Sequence, residues 1–196
     1  MTLECSSRTQ IHIGIALVLL LAASRGYHAE VLSHLPSASW AVFFLAGVYL
    51  TPWWSFPVLF AEAVLLDYWA VTWRGVDTFC ITSAYAFLLP AYAALWYSGR
   101  WFINAPGTIP TLSLRLPVSV CVAAALCEAL TSGSFYFLSG RFDHPTLEAF
   151  AVRFSTYFPS SLLALVFYVG LAIIVHVMFT IGHRIPSIVG RLRASN

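Results

Sequence analysis

Six long runs of apolar residues divide this chain, and short connections that carry prolines, glycines or charges separate them. A helix that crosses a bilayer needs about 20 mostly apolar residues, with tolerance down to roughly 17. The pattern therefore predicts an all-α integral membrane protein, a bundle of six transmembrane helices that forms one domain over residues 1–196. The predicted spans run from about Thr9 to Ser24, Ser39 to Thr51, Phe56 to Trp73, Phe79 to Tyr97, Leu116 to Leu138 and Thr146 to Ile181.

Prolines mark where the predicted helices break. Pro52 and Pro57 enclose a tight turn between the second and third spans, and Pro106 and Pro110 mark the longest loop, between the fourth and fifth. As a helix, the last run would extend roughly 50 Å, which is longer than the ~30 Å hydrocarbon core of a bilayer. We expect it to tilt, to bend at Pro159 or to project from the membrane.

The composition agrees with a membrane protein and excludes two classes of function. The chain is 60% hydrophobic and 9% charged, with a mean hydropathy of +0.81, whereas soluble domains are about a quarter charged. Its ten cationic side chains are all arginines, and they form no basic cluster of the kind that nucleic-acid binding requires. The ATP-binding pattern GxxxxGK[ST] needs a lysine, which this chain lacks, so the chain does not hydrolyse ATP by itself.

The placement of the arginines predicts the orientation in the membrane. With six spans both termini lie on one side, and six of the ten arginines fall there, against four on the other side. Because arginine favours the cytoplasmic side, both termini are predicted to be cytoplasmic. The apolar run near the N-terminus is interpreted as a retained first span rather than a cleaved signal peptide.

Polar residues gather at the predicted outward ends of different helices. Ionisable groups inside a membrane protein are costly, and those that face the interior are functional candidates. With aromatic neighbours they predict an outward-facing pocket for a large amphipathic ligand. The polar candidates are Arg25, His28, Asp67, Arg74, Asp77, Cys80, Tyr85 and Arg153, and the aromatic walls are Trp53, Trp54, Trp69, Trp73, Phe79 and Tyr157.

Cys80 carries the most specific chemistry among these candidates. If Asp77 caps the fourth helix, Cys80 falls in its first turn, where free backbone N–H groups favour an anion, and Arg74 adds positive charge. Both effects favour the thiolate, which binds soft metals. The alternative is that Cys80 is a small apolar residue that fills a helix end, because free cysteines are commonly buried.

The other candidates also have two interpretations each. His28 is either a pocket residue or a solvated surface histidine, and Tyr85 either a pocket residue or a simple interface aromatic. Asp67 lies within a span and therefore needs a partner, and either Arg153 or a ligand amide would serve. Arg153 is alternatively paired with Glu148 or with a lipid phosphate.

Cys80 within DTFCITSAY, in a six-span chain of just under 200 residues, resembles the BtuM group of cobalamin-specific S components of ECF-type vitamin transporters. The resemblance implies cobalamin (corrinoid) binding and uptake across the bacterial inner membrane. It implies that Cys80 ligates the cobalt and that His28, Asp67, Tyr85 and Arg153 belong to the pocket. These S components often dock on an energising module through Ala-x-x-x-Ala in the first helix.

Several alternatives to this interpretation stay open at the level of the sequence. At the Ala-x-x-x-Ala spacing the first span offers only Ala22 and Gly26, so the protein is expected either to use an energising module or to act alone. A transporter is not an enzyme, although a cobalt-bound thiolate would allow displacement of an upper ligand such as cyanide. The other classes are a membrane redox or haem protein that uses Cys80, His12 and His176, and a non-catalytic subunit of a larger membrane complex.

Overall fold

The computed structural model describes residues 6–26, 37–74, 82–104 and 109–194, with the backbone alone described at 26, 74, 109–112 and 182–194. Every regular element in these ranges is helical, which confirms the all-α prediction for this part of the chain. The elements are α1 (Ser7–Gly26), α2 (Ser39–Tyr49), α3 (Ser55–Arg74), a short 3₁₀ helix (Ser83–Phe87), α4 (Leu88–Asn104), α5 (Ile109–Leu138) and α6 (Leu147–Ala194).

Four of these helices contain segments that are long and apolar enough to cross a membrane. They are Ser7–Arg25, Ser55–Trp73, Ser113–Leu138 and Leu147–Ile181, and they make the chain a multi-pass membrane protein. The helix α2 has 11 residues, which at 1.5 Å per residue extend about 16 Å and fall short of the ~30 Å hydrocarbon core. The number of six crossings therefore stays a prediction.

The fourth helix begins later than the sequence pattern predicts. The prediction placed its start at Phe79, whereas α4 begins at Leu88, after the 3₁₀ helix Ser83–Phe87. Pro90 gives a physical reason, because as the third residue of α4 it needs no backbone N–H. In an α-helix that had begun at Phe79, the same proline would remove a hydrogen bond from the interior.

The short helix α2 forms the buried centre of the protein. Its sequence SWAVFFLAGVY contains no charge, and a helix that is apolar on all sides is expected to be buried. It packs so closely on α4 that the two backbones touch at two glycines. A Cβ atom added to Gly47 would overlap the carbonyl oxygen of Trp96, and one added to Gly99 would overlap that of Phe44. Only glycine fits at this crossing.

The longer helices direct many of their large apolar side chains away from this centre. Leu65 on α3 is 66% exposed and Phe179 on α6 is 66% exposed, as expected for surfaces that meet lipid. Helix α6 continues through Pro159 without a break. It passes the end of α2 at His176, whose ring centroid lies 5.9 Å from that of Tyr49, and runs on to Ala194.

Candidate functional site

One end of the bundle, which we call the Arg25 end, collects the termini of several elements. Side chains from the last turn of α1, the first turn of α2, the second half of α3, the 3₁₀ helix and α4 are joined there by hydrogen bonds. The 3₁₀ helix also contacts the last turn of α5 through Ser83, whose hydroxyl donates to the carbonyl of Leu138. The sequence analysis predicted that polar residues from different helices would converge at one end, and the described part of the chain agrees.

An ion pair between Arg25 and Asp67 lies at the centre of this end. Arg25 Nε donates to Asp67 Oδ1 at 2.6 Å and Arg25 Nη2 donates to Asp67 Oδ2 at 2.7 Å. The pairing is bidentate, which is the strongest arrangement of guanidinium and carboxylate. Only 16% of the Arg25 side chain and 24% of the Asp67 side chain are exposed. The pair therefore fastens α1 to α3 within a largely desolvated site.

The third nitrogen of the Arg25 guanidinium reaches two further helices. Arg25 Nη1 donates to the hydroxyl oxygen of Tyr92 on α4 at 2.8 Å and to that of Ser39 on α2 at 3.3 Å. Tyr92 is buried, and its ring stacks on Phe43 with centroids 4.3 Å apart. One arginine thus connects α1, α2, α3 and α4 at this end of the bundle.

Tyr85 belongs to the same network and is fixed at both ends. Its hydroxyl donates to Asp67 Oδ2 at 2.8 Å. Its backbone lies in the 3₁₀ helix, whose start is capped by Thr82, since the hydroxyl of Thr82 accepts from the N–H of Ala84. That short helix is held on α5 by Ser83. Asp67 and Tyr85, both predicted to belong to the site, are therefore in direct contact.

Arg153 lies at the same end of the bundle in an aromatic environment. Its guanidinium carbon is 5.0 Å from the ring centroid of Phe142, 5.6 Å from that of Tyr157 and 5.7 Å from that of Tyr136. These distances are those of cation–π contacts. Arg153, which the sequence offered as an alternative to a ligand amide as the partner of Asp67, does not fill that role in the structure, because the ion-pair partner of Asp67 is Arg25.

Two of the predicted site residues lie outside the described residues. They are His28 and Cys80, and the predicted neighbour Asp77 lies outside them as well. Nothing in the described ranges therefore tests the proposed cobalt ligand. The described segment resumes at Thr82, two residues after Cys80, and leads directly into the 3₁₀ helix that carries Tyr85.

The prediction for two of the aromatic walls is wrong. Trp53 and Trp54 follow the C-terminal end of α2, whereas Ser39 of the polar network lies at its N-terminal end. The connection that carries these tryptophans is fixed at the opposite end of the bundle, where Arg100 Nη2 donates to the carbonyls of Leu50 and Thr51 at 2.8 and 2.6 Å. Tryptophans favour both membrane interfaces, so residue type alone does not assign them to one end of the bundle.

Arg25 and Tyr92 are the functional candidates whose roles the sequence analysis did not identify. The sequence pattern predicts Arg25 at the outward end without a partner, and it predicts Tyr92 as part of an apolar span. A signal was present for Arg25, because Asp67 needed a cation and Arg25 is the arginine that ends the neighbouring first span. Tyr92 gave no such signal, since an aromatic residue within a span is usually a packing residue.

Other polar groups of the described spans are separate from this network. The carboxylate of Glu128, which is 4% exposed, accepts a hydrogen bond from Ser132 on the next turn of α5. His12 lies on an exposed face of α1, while His176 packs against Tyr49. Within the described ranges no three His, Cys, Asp or Glu side chains converge on a common point.

At the Arg25 end the charged groups and the hydroxyl of Tyr85 are paired with one another. The carboxylate and the guanidinium neutralise each other, and Tyr85 presents a fixed hydroxyl beside them. Scans of the sequence against protein-family models and against curated proteins give no match.

Proposed function

We propose that this protein binds cobalamin or a related corrinoid and takes it up across the bacterial inner membrane. In this proposal the Arg25 end faces the periplasm and both termini are cytoplasmic. The ligand enters a pocket formed by His28, Asp67, Tyr85 and Arg153, and the thiolate of Cys80 coordinates the cobalt. The protein is a transporter and not an enzyme in its main activity.

The observation that carries the proposal is the contact between Asp67 and Tyr85 at the end of the segment that contains Cys80. Cys80 lies two residues before Thr82, which caps the 3₁₀ helix. That helix is anchored to α3 by the hydrogen bond from Tyr85 to Asp67. Residues 75–81 thus connect two described elements, α3 and the 3₁₀ helix, whose positions relative to each other are fixed by that hydrogen bond. This supports a role for Cys80 beside the polar network rather than at a distant surface.

The chemistry of the residues fits a corrinoid. Cobalamin carries a cobalt ion with an exchangeable axial position, for which a thiolate is a suitable soft ligand. Its periphery bears several amide arms, which require hydrogen-bonding partners such as Tyr85. Its flat faces suit aromatic contacts like those around Arg153, where Tyr136, Phe142 and Tyr157 lie together.

The proposal leaves two mechanisms of energisation for experiment. The chain has no ATP-binding motif, so ATP-driven uptake requires an ECF energising module, whereas uptake by this protein alone requires another driving force. Coordination by Cys80 also offers a route to displacement of an upper ligand such as cyanide, in which the thiolate takes the axial position and cyanide leaves as an anion.

The visible spectrum of the purified protein tests the proposal. We expect cells grown with cobalamin to yield a coloured protein whose corrin bands differ from those of free cobalamin. In Cys80→Ala the bound cobalamin should be lost or should show the spectrum of a cobalt without a sulfur ligand. Cys121→Ala is the matched control, because Cys121 is an exposed cysteine on α5 and the change should leave the spectrum unaltered.

Two results would contradict the proposal in different ways. An identical bound-corrin spectrum in the wild type and Cys80→Ala would remove cobalt ligation by Cys80 while retaining cobalamin binding. A colourless wild-type protein that binds no cobalamin in titration would reject cobalamin as the ligand.

A further inference from the structure

The hydroxyl group of Tyr85 has one hydrogen, and that hydrogen is already committed. It is donated to Asp67 Oδ2 at 2.8 Å, and a carboxylate oxygen bonded in this way acts only as an acceptor. The oxygen of Tyr85 keeps lone pairs that can accept a hydrogen bond, and its side chain is only partly buried. A ligand group that meets this hydroxyl must therefore provide the donor.

Arg25 determines the direction of that hydroxyl through Asp67, to which both side chains are hydrogen-bonded. Its bidentate pairing fixes the plane of the Asp67 carboxylate, because Oδ1 and Oδ2 each accept from a different nitrogen of a rigid fork. The fork itself is fixed by its bonds to Tyr92 and Ser39 on two other helices. A fixed carboxylate fixes the hydrogen bond from Tyr85, so Arg25 is a positioning residue.

We propose that Arg25, acting through Asp67, holds Tyr85 as an acceptor-only contact, so that the site selects a neutral amide of the ligand over the corresponding carboxylate. The inference rests on the proposed function, because the amide arms of a corrinoid supply such N–H donors. A carboxylate at that place has no hydrogen to donate and would bring a second negative charge towards Asp67. A site built to accept from an N–H group discriminates strongly against an analogue that lacks it.

The charge balance of the network supports this selectivity. The positive charge of Arg25 is neutralised by Asp67 at hydrogen-bond distance, and its three nitrogens already donate to Asp67, Tyr92 and Ser39. A ligand carboxylate would have to compete with Asp67 for the same guanidinium. Arg25 therefore offers no compensation for the loss of the amide hydrogen.

Affinity measurements with modified corrinoids test the inference. The probes are cobalamin and its monocarboxylate derivatives, in each of which one side-chain amide of the corrin has been hydrolysed to the acid. We expect the wild-type protein to bind at least one derivative about tenfold more weakly than cobalamin, which corresponds to about 1.4 kcal/mol. Isothermal titration of the purified protein in detergent gives the ratio of the two affinities.

Three variants separate positioning from general damage. Tyr85→Phe removes only the hydroxyl and should lower the affinity ratio, with the charge of Asp67 left as the remaining source of discrimination. Arg25→Lys should lower the ratio as well, because an ammonium group cannot hold both oxygens of Asp67 in one plane. Tyr97→Phe removes the hydroxyl of a tyrosine on α4 that is 65% exposed, and it should keep the wild-type ratio.

The possible outcomes are distinct. A wild-type ratio near one for every derivative, or a ratio that Tyr85→Phe leaves unchanged, would overturn the inference while cobalamin binding stands. Failure of the wild type to bind cobalamin at all would reject the proposed function and the inference together. If Arg25→Lys does not fold, Tyr85→Phe alone decides, since it leaves the ion pair intact.

Discussion

At the crossing of α2 and α4, two competing effects decide whether a glycine-to-alanine substitution stabilises or destabilises the protein. Replacing glycine by alanine within a helix is favourable by about 1 kcal/mol when nothing obstructs the added methyl group. At Gly99, however, the added Cβ would overlap the carbonyl oxygen of Phe44 and lie 3.1 Å from the backbone nitrogen of Val48. These are backbone atoms, so the methyl group cannot be accommodated by a change of rotamer.

The size of the effect follows from the distance that the helices must move. Ordinary contacts between non-bonded heavy atoms lie at about 3.5–4.0 Å, so α2 and α4 must separate by roughly 1.5 Å along this contact. Overpacking of a well-packed core costs about 1–3 kcal/mol, and occasionally more. Because the contact is between two backbones, we expect the upper part of that range, so Gly99→Ala should be destabilising by about 2 kcal/mol after the gain in helix propensity.

Thermal unfolding of the purified protein in detergent measures this effect. For a chain of this size a loss of 1 kcal/mol lowers Tm by about 2–4 °C in soluble proteins, so we expect a decrease of about 4–8 °C for Gly99→Ala. Gly170→Ala is the matched control, because Gly170 lies within α6 and a Cβ there meets nothing within 4 Å. That variant should be as stable as the wild type or slightly more stable. A Tm for Gly99→Ala at or above that of Gly170→Ala would refute the reasoning.

Two further predictions concern polar side chains away from the site. Arg100→Met removes the two hydrogen bonds that Arg100 donates to the carbonyls of Leu50 and Thr51, just after α2, and should cost about 1–3 kcal/mol because the part-buried carbonyl of Leu50 loses its charged donor. The exposed Arg8→Met is its control in the same unfolding assay, and equal Tm values for the two variants would contradict this. Ser132→Ala removes the hydrogen bond that Ser132 donates to the buried carboxyl of Glu128, and should cost about 1–3 kcal/mol of stability. Ser160→Ala, on an exposed turn of α6, should cost far less, and an equal loss in both variants would show that the bond to Glu128 contributes nothing.

The helices were largely predictable because apolar length is a strong signal in a membrane protein. The predicted third span, from about Phe56 to Trp73, differs by one residue at each end from the helix Ser55–Arg74. The signal fails for α2, which is apolar because it is buried in protein and not because it crosses the bilayer. Its apolar run marks the buried centre of the bundle, but 11 residues are too short to cross a bilayer. Hydropathy alone cannot distinguish a helix buried in protein from one that faces lipid.

Three described members of the site, Asp67, Tyr85 and Arg153, were predictable from the sequence, but the pairing of Asp67 and the part played by Tyr92 were not. Depth along a helix can be counted from the sequence, and this count placed Asp67, Tyr85 and Arg153 at one end. Rotation about each helix axis and the arrangement of helices around the bundle are set by packing, which the sequence pattern does not specify for spans that are apolar on several faces. For this reason the count could not decide between Arg25 and Arg153 as the partner of Asp67.

The pairing that the structure reveals changes what a functional test of Asp67 means. Both carboxylate oxygens are occupied, by Arg25 and by Tyr85, so the ligand of the proposed function meets this carboxylate chiefly through Tyr85. Asp67→Asn would leave Arg25 without its counter-charge, although only 16% of the arginine side chain is exposed. An unpaired charge at such a position typically costs several kcal/mol of folding stability. A loss of binding in that variant would therefore report on folding as much as on recognition. Tyr85→Phe is the more informative substitution, because it removes the contact offered to the ligand and keeps the ion pair that fastens α1 to α3.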